Sequence, residues 1–296
     1  MDGFINLLKP PGMTSSDAVA AVRRLLARGT RVGHGGTLDP DAAGVLPICV
    51  GRGARLFDYM IDKQKEYLAE LRLGVATNTQ DASGRPTAVC PVSCGAAEVR
   101  AALGGFTGEI MQTPPAYSAV KFGGRRMYDL ARSGDAPVLA PRPARVDAIE
   151  YMGQTTPDTH RLLIRCGKGV YIRALCHDIG ATLGCGGHMA FLLRTRAGVF
   201  DLAGSATPDE LRLKLERGEG DKCLYRLDAP IEHLPAARLD GRSAHAVLNG
   251  QPCPAPRGTP PETPLRVYCG DAFAGVGERR ADEKIHMKAV LLERST

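Results

Sequence analysis

The chain has 296 residues, of which 44% are apolar and 24% charged, so it can bury a sizeable core, and its length predicts one large domain with a smaller one. Its 38 lysines and arginines against 32 aspartates and glutamates give a net charge of +6, which favours a polyanionic partner without requiring one. The cysteines are scattered without a C-x-x-C pair, which argues against a zinc site. The sequence shows no signal peptide and no run of about 18 apolar residues, which argues against secretion and a membrane span. Together these features predict a soluble cytoplasmic protein.

The first predicted elements are a strand and an amphipathic helix. Residues 4–8 form a short apolar run that ends at a K-P-P-G turn, which is typical of a strand followed by a tight turn. Ser15 or Ser16 can cap the next helix, in which apolar residues recur at helical spacing from Ala18 onward. The arginines on the opposite face of this helix are either a solvated surface or phosphate contacts.

Residues 33–53 form a glycine-rich stretch with Asp39 near its centre. Glycines on both sides of Asp39 permit backbone conformations that are closed to other residues, so the chain can approach a ligand closely here. Asp39 is therefore a candidate for a ligand-facing carboxylate. Asp39 followed by Pro40 is equally consistent with a helix N-cap and a proline at the first helical position.

The next predicted elements are strands and a basic segment. Residues 66–73 alternate between apolar and polar side chains, which predicts a strand that Tyr67 opens, as a core or edge aromatic. Residues 76–86 are polar and contain glycine and proline, which indicates a loop. Residues 112–132 interleave cations with aromatic side chains, as looped RNA requires, although a basic amphipathic helix fits equally well.

The second half of the chain contains further strands and helices and then changes in texture. Residues 160–166 alternate as a strand, Lys168 and Gly169 turn the chain, and an amphipathic helix follows and ends at Gly184. Residues 190–200 predict a core strand with Arg194 and Arg196 as polar decoration. From about residue 235, short apolar segments between proline- and glycine-rich interruptions predict a small β-rich appendage.

Six motifs, in order and spanning nearly the whole chain, resemble those of the bacterial TruB family of transfer-RNA pseudouridine synthases. They are N-L-L-K-P-P-G-M-T-S-S-D (6–17), G-H-G-G-T-L-D-P-D-A-A-G-V-L-P (33–47), D-K-Q-K-E-Y (62–67), T-P-P-A-Y-S-A-V-K (113–121), C-G-K-G-V-Y-I-R (166–173) and F-A-G-V-G-E (273–278). The number and order of these matches make the resemblance far more specific than any single short pattern.

The resemblance implies an α+β fold in two parts. The expected catalytic domain covers residues 1–234 and has a mixed, mainly antiparallel central sheet flanked by helices and loops. An RNA-contacting insertion is expected at about residues 106–150. The remaining residues, 235–296, are expected to form a small β-rich domain of the PUA type, which binds RNA.

The resemblance also implies the reaction, the isomerisation of the T-loop uridine (uridine-55) of transfer RNA to pseudouridine after base flipping. The bond from ribose C1′ to N1 of uracil breaks, the base turns, and C1′ is rejoined to C5. No electron or group is transferred to another molecule, so we expect neither a cofactor nor a metal. The expected partner is the T stem-loop of transfer RNA, and we expect a monomer.

Roles for individual residues follow from the same resemblance. Asp39 is expected to be the catalytic carboxylate and Arg173 its partner, and Tyr67 is expected to stack on the flipped base. His34 is expected to assist base flipping, Tyr171 and Leu192 to pack around the uracil, and Lys9 and Lys168 to favour phosphate or support the loop. The expected contacts to the RNA backbone come from three cations: Lys121, Arg125 and Arg126.

Two other classes of function remain open at the level of sequence. A hydrolase of N-glycosidic bonds would also place a carboxylate at C1′, but glycosidases usually employ two, and Asp41 is the only acid close in sequence to Asp39. Free uracil among the products would identify this activity. A non-catalytic RNA-binding protein could use the same basic surfaces, although the presence of both Asp39 and Arg173 argues against it.

Overall fold

The computed structural model describes residues 1–60, 64–117, 137 and 139–293, and the backbone alone of residues 61, 121–122 and 125–126. The helices are α1 Ser15–Leu25, α2 Phe57–Ile61, α3 Ala96–Leu103, α4 Ile172–Thr182, α5 Pro208–Glu216 and α6 Ala244–Leu248. The strands of the first half of the chain are β1 Gly3–Lys9, β2 Val32–His34, β3 Ala43–Val50, β4 Lys65–Leu73, β5 Val75–Thr77, β6 Pro86–Val89, β7 Gly108–Gln112, β8 Lys121–Phe122 and β9 Arg125–Arg126. The later strands are β10 Arg142–Thr156, β11 Thr159–Cys166, β12 Gly187–Ala197, β13 Phe200–Asp201, β14 Leu224–Tyr225, β15 Ala236–Leu239, β16 Cys253–Pro254, β17 Pro264–Cys269, β18 Ala272–Arg279 and β19 Lys284–Val290.

The large sheet is mixed and mainly antiparallel, which confirms the predicted fold class. Its strands lie in the order β14-β1-β3-β12-β4-β11-β10-β7, with β2 paired to β3 and β13 to β12. Among these pairs, β3 and β12 run parallel and the others run antiparallel. The parallel pair lies near the centre of the sheet, so the loop before β3 and the helix before β12 can meet over it.

Strand β4 shows how the sequence pattern determines the sheet. Tyr67, Ala69, Leu71 and Leu73 are all buried, and they alternate with residues that are more accessible to solvent. This alternation matches the two-residue repeat of a strand that covers a core on one face. The prediction for this segment is therefore confirmed.

Helix α1 begins one residue earlier than the predicted caps allow. Thr14 is the N-cap: its hydroxyl accepts a hydrogen bond from Asp17 N at 3.0 Å, and the Asp17 carboxylate accepts one from Thr14 N at 2.9 Å. This reciprocal pair is a capping box. The prediction of Ser15 or Ser16 as the cap is wrong, and Ser15 is instead buried against the loop that contains Asp39.

Helix α4 packs closely against β12 because both elements contain a glycine at the contact. A Cβ atom added to Gly180 would lie 2.3 Å from the backbone nitrogen of Gly187, which is closer than any real side chain allows. The helix can therefore sit directly on the strand. The first turn of the same helix lies against the β2–β3 loop, where Arg173 contacts Asp39.

The C-terminal residues form a second, five-stranded sheet in the order β15-β17-β18-β19-β16, as the β-rich texture predicts. This sheet has a core of its own and also packs against the large sheet, where Val276 and Leu291 share a buried cluster with Phe4 and Val45. No helix in the described part of the chain is both long enough and apolar enough to cross a membrane.

Candidate active site

The loop between β2 and β3 carries Asp39 over the large sheet. The carbonyl of Asp39 accepts a hydrogen bond from Ala42 N at 3.1 Å, which closes a turn, and β3 begins at the next residue. No helix follows Asp39, so the interpretation of Asp39 and Pro40 as a helix start is wrong. The Asp39 side chain is 35% exposed, so it is partly accessible to solvent and partly covered by its neighbours.

Lys9 holds one side of this loop from beneath. Its side chain is completely buried, and Nζ donates hydrogen bonds to the carbonyls of Pro10 at 2.9 Å, Met13 at 2.7 Å and Pro40 at 3.0 Å. Burial lowers the pKa of the Lys9 ammonium to about 8, although the nearby aspartates oppose this shift. Lys9 therefore joins the turn after β1 to the loop that carries Asp39.

Arg194 holds the other side of the loop, and its position differs from the prediction. The sequence pattern predicts a polar side chain on the surface of this strand, but Arg194 is only 1% exposed. Its guanidinium donates to the carbonyls of Val45 at 2.7 Å, Gly36 at 3.1 Å and Thr37 at 3.3 Å. A buried cation therefore satisfies three backbone acceptors around Asp39.

The residue before Asp39 is fixed by α1. The hydroxyl of Ser15 donates to the carbonyl of Leu38 at 3.0 Å and accepts from its backbone nitrogen at 2.9 Å.

Gly44, just after the loop, has φ of +116°, and a Cβ there would lie 2.2 Å from the carbonyl oxygen of Arg194. Only glycine fits where β3 passes this close to β12.

Arg173 lies in the first turn of α4 and contacts the Asp39 carboxylate through two nitrogens. Nε lies 3.0 Å from Oδ2, and Nη2 donates to Oδ1 at 3.3 Å. Such a two-point pair fixes the orientation of both groups. The structure thus brings together the two residues, 134 positions apart in sequence, that were expected to form the catalytic pair.

Burial is the largest influence on the Asp39 carboxylate. Desolvation raises its pKa above the ordinary value of 3.8, Arg173 lowers it, and the charge of Asp81 raises it further. The net direction is upward, because the cost of removing the carboxylate from water exceeds the attraction of the guanidinium. The ionised form of Asp39 is therefore held at a higher free energy than that of an exposed aspartate.

Asp81 is a member of this site that the sequence analysis missed. Its Oδ2 accepts a hydrogen bond from Arg173 Nη1 at 3.3 Å, while Oδ1 accepts from the hydroxyls of Thr79 and Ser83, both at 2.6 Å. The composition of residues 76–86 predicts only a loop. A hydroxyl residue two positions before and two positions after an aspartate was the available signal, since such side chains bond to it locally.

Tyr67 and Leu192 lie in adjacent strands of the sheet and are both buried. Tyr67 is the cross-strand neighbour of Arg194, and Leu192 is that of Ala69. Burial raises the pKa of the Tyr67 phenol, Arg194 opposes this shift, and the charge of Asp39 adds to it. Tyr67 is thus a neutral phenol within the electrostatic reach of Asp39.

His34, the last residue of β2, is half-buried, and its Nδ1 has no hydrogen-bond partner among the described residues. Burial and the charge of Arg194 both lower the pKa of its imidazole. His34 is therefore neutral at pH 7. It lies five residues before Asp39 at the entrance to the same loop.

Tyr171 is the residue immediately before α4, and the Arg142 guanidinium lies over its ring, 5.3 Å from the ring centroid. Lys168 is exposed in the turn that precedes it. Both residues therefore lie on the chain segment that leads into Arg173. The Gly169 carbonyl, in the same turn as Lys168, also accepts a hydrogen bond from the Arg142 guanidinium at 3.1 Å.

The three cations predicted to contact the RNA backbone lie at the edge of what the structure describes. The backbone of Lys121 pairs with that of Arg126, and Phe122 pairs with Arg125, so these four residues form an antiparallel ladder and not a helix. The side chains of Lys121, Arg125 and Arg126 lie outside the described residues.

Among the described residues, no three His, Cys, Asp or Glu side chains are placed to hold a metal ion.

Models of known families match the chain from residue 23 to residue 291. Residues 23–172 match the model of the TruB family pseudouridylate synthase (N terminal domain). Residues 173–234 match the tRNA pseudouridylate synthase B C-terminal domain, and residues 235–291 match the C-terminal model of pseudouridine synthase II TruB.

Individual relatives and solved structures are similar over most of their length. The chain is 44% identical over 254 residues to tRNA pseudouridine synthase B of Heliobacterium modesticaldum, covering 84% of this chain and 81% of the relative. It is 39% identical over 296 residues to the protein of the same name in Dehalococcoides mccartyi, covering 100% and 98%. A chain in the structure of an H/ACA RNP bound to a substrate RNA containing 2′-deoxyuridine superposes with a TM-score of 0.74 at 25% identity, covering 99% of this chain and 86% of that one. The chain therefore belongs to the TruB family of pseudouridylate synthases and is an isomerase.

Proposed function

We propose that this protein converts uridine-55, in the T-loop of transfer RNA, to pseudouridine, with Asp39 as the reacting carboxylate and Arg173 as its partner. Relatives that are about 40% identical over most of the chain are named tRNA pseudouridine synthase B, which supports transfer RNA as the substrate. The observation that carries the proposal is the two-point contact of Arg173 on a carboxylate whose loop is fixed by three other side chains.

The reaction needs one ionised carboxylate at the ribose or the base. The C1′–N1 bond breaks, the uracil turns and the C1′–C5 bond forms, while the proton on C5 is released to water and N1 takes one up. Because burial raises the pKa of Asp39, its ionised carboxylate is a stronger base and nucleophile than that of an exposed aspartate. In our proposal Arg173 keeps this carboxylate aimed and ionised during the rearrangement.

The uridine must leave its stack to reach Asp39, which costs a few kcal/mol. In our proposal the Tyr67 ring stacks on the flipped base, a contact that is worth roughly 1–3 kcal/mol. Leu192 and Tyr171 pack around the uracil, and His34 occupies the region that the base vacates. The closeness of Tyr67 to Asp39, whose charge contributes to the raised pKa of the Tyr67 phenol, supports this proposal.

We further propose that the RNA lies along the basic surfaces of the chain, with Lys121, Arg125, Arg126 and Lys168 contacting phosphates. The net charge of +6 supports a polyanionic partner, and a structurally similar chain occurs in an RNP bound to a substrate RNA. We expect a cytoplasmic monomer that recognises the T stem-loop. The nine cysteines are all unpaired, which is consistent with a reducing compartment.

The two-domain division is also part of the proposal: residues 1–234 form the catalytic domain, with an RNA-contacting insertion at about 106–150, and residues 235–296 form a PUA-like domain. The second sheet, with its own core, supports this division. The two parts are not independent, because the Tyr268 hydroxyl donates to the Asp228 carboxylate at 2.7 Å and Arg55 donates to the Val290 carbonyl at 2.6 Å. A chain cut after Asp228 would lose both contacts and expose the cluster around Phe4.

The test is the conversion of transfer RNA that carries an unmodified T-loop. After incubation with the protein, the nucleosides are separated by chromatography and identified by their retention, and carbodiimide labelling locates pseudouridine in the sequence. We expect one pseudouridine, at position 55, and none when that uridine is replaced by cytidine. Free uracil in place of pseudouridine would identify a hydrolase, and binding without any product would identify a non-catalytic RNA-binding protein.

A further inference from the structure

Gln112 makes an unusual pair of hydrogen bonds next to the proposed catalytic arginine. It is the last residue of β7 and is only 1% exposed. Its side-chain Nε2 donates to the carbonyl of Tyr171 at 3.0 Å, and its Oε1 accepts from the backbone nitrogen of Tyr171 at 2.7 Å. One side-chain amide thus pairs with both backbone groups of one residue, as a neighbouring strand would.

The residue that Gln112 contacts lies at the start of α4. Tyr171 directly precedes α4, has no side-chain cap, and its carbonyl also accepts the first hydrogen bond of the helix, from Leu175 N at 3.0 Å. Arg173 follows two residues later, in the first turn. A shift in the Tyr171 backbone would therefore tilt the first turn and displace the guanidinium from Asp39.

A second contact reinforces the same segment. Arg142, the first residue of β10, is the direct register partner of Gln112. Its guanidinium lies over the Tyr171 ring and donates to the Gly169 carbonyl. Gln112 and Arg142, adjacent residues on two paired strands, together hold the backbone and the ring of Tyr171.

The segment after Gln112 also returns to the catalytic pair. Arg173 Nη2 donates to the carbonyl of Tyr117 at 2.8 Å, five residues along the chain from Gln112. The stretch from Gln112 to Tyr117 therefore contacts the start of α4 at both its ends. An apolar residue at position 112 could fill the same buried space but could not direct the Tyr171 backbone.

We propose that Gln112 is a positioning residue for the isomerisation, which fixes the Tyr171 backbone and thereby sets the direction in which Arg173 meets Asp39. This inference rests on the proposed roles of Asp39 and Arg173. Gln112 does not touch the reacting atoms in this account. Its loss should lower the rate of the chemical step and leave the affinity for RNA nearly unchanged.

The sharpest test uses Gln112→Glu. A protonated carboxylic acid has the same shape as the amide, with a hydroxyl that donates to the Tyr171 carbonyl and a carbonyl that accepts from the Tyr171 nitrogen. An ionised carboxylate keeps only the second bond and repels the carbonyl. Burial raises the pKa of such an acid, so both forms are accessible between about pH 5 and pH 9.

Single-turnover rates on a T-arm stem-loop at saturating enzyme are compared for the wild type, Gln112→Glu, Gln112→Leu and the control Gln154→Glu. Gln154 is exposed at the far end of β10, where it bonds to the Pro157 carbonyl. We expect Gln112→Leu to be slower by roughly tenfold or more, because two buried hydrogen bonds are lost. The rate of Gln112→Glu relative to wild type should recover at low pH and fall at high pH, while Gln154→Glu stays at the wild-type rate throughout.

Thermal unfolding and RNA affinity, measured on the same samples, separate a local effect from loss of the fold. A Gln112→Leu rate within about threefold of wild type would overturn the proposal, since the loss of two buried hydrogen bonds should slow the reaction by roughly tenfold or more. A Gln112→Glu rate equal to that of Gln112→Leu at every pH would also overturn it. In either case an inactive Asp39→Asn variant would show that the proposed catalytic role of Asp39 stands on its own.

Discussion

Replacing Arg173 by lysine should reduce the rate of isomerisation while keeping the positive charge. The arginine contacts Asp39 through two nitrogens, Asp81 through a third, and the carbonyls of Thr79 and Tyr117. A lysine has one nitrogen at the end of a flexible stem and cannot reproduce the planar fork. It can satisfy one carboxylate oxygen, so at least two charge-assisted contacts are lost.

The size of the effect follows from these contacts. A hydrogen bond to a charged group contributes about 1.5–3 kcal/mol, so the loss of two corresponds to about 3–6 kcal/mol. If the transition state depends on both, the single-turnover rate falls by about 10²-fold to 10⁴-fold. The weaker pairing also removes part of the influence that lowers the pKa of Asp39, so less of this carboxylate is ionised at a given pH.

The assay measures tritium released from uracil C5 in a T-arm stem-loop at saturating enzyme, together with the dissociation constant of the RNA. Arg196→Lys, an exposed residue in β12, is the matched control and should keep the wild-type rate. We expect the Kd of Arg173→Lys to stay within about tenfold, or about 1.4 kcal/mol. A rate within threefold of wild type would refute the view that the two-point contact matters for the reaction.

Three further predictions concern the same site. Tyr67→Leu should lower turnover by about tenfold to 100-fold and leave the RNA Kd nearly unchanged, because only the flipped base stacks on this ring; an equal fall in affinity would place Tyr67 in the general RNA surface. Arg194→Met should destabilise the fold by about 3–5 kcal/mol in chemical denaturation, because three buried carbonyls lose their donor, whereas Arg196→Met should be nearly neutral. Because the pKa of Asp39 is raised, the single-turnover rate should increase with pH, and the midpoint of this increase should lie above pH 3.8. The midpoint should move to higher pH in Arg173→Lys. A midpoint below pH 3.8 would contradict the conclusion that burial is the largest influence on this pKa.

Much of the fold is readable from the sequence because local patterns and tertiary packing agree. The alternation of residues 66–73 predicts β4, and that of residues 160–166 predicts β11. The Asp39–Arg173 contact was expected only from the resemblance to a family. No local pattern connects residues 134 positions apart.

The orientation of Arg194 shows why other features were missed. Leu192 and Arg194 share one face of β12, so a strand with Leu192 in the core also directs Arg194 inward. A register shift between Arg194 and Arg196 then turns Arg196 outward. The bulge cannot be predicted from the sequence, and a buried arginine is unfavourable unless carbonyls that come from the distant Asp39 loop receive its hydrogen bonds.

Asp81 and Gln112 were missed for a related reason. Each side chain has ordinary surface chemistry, and its role depends on a partner brought close by the sheet: Arg173 for Asp81 and the Tyr171 backbone for Gln112. Burial of a polar side chain is stabilised only when such partners are in place. These positions become visible once the strand order is known.

The most direct test of the account is the single-turnover isomerisation of a T-arm stem-loop by Asp39→Asn. The amide keeps the shape of the carboxylate and removes its charge, so we expect no pseudouridine, with an RNA Kd within about tenfold of wild type. Because the pKa of Asp39 is raised in the fold, its ionised form opposes folding above the ordinary pKa, and the variant should unfold at no lower a temperature than wild type at pH 7. Formation of pseudouridine by Asp39→Asn at a rate near that of wild type would contradict the assignment of Asp39 as the reacting carboxylate.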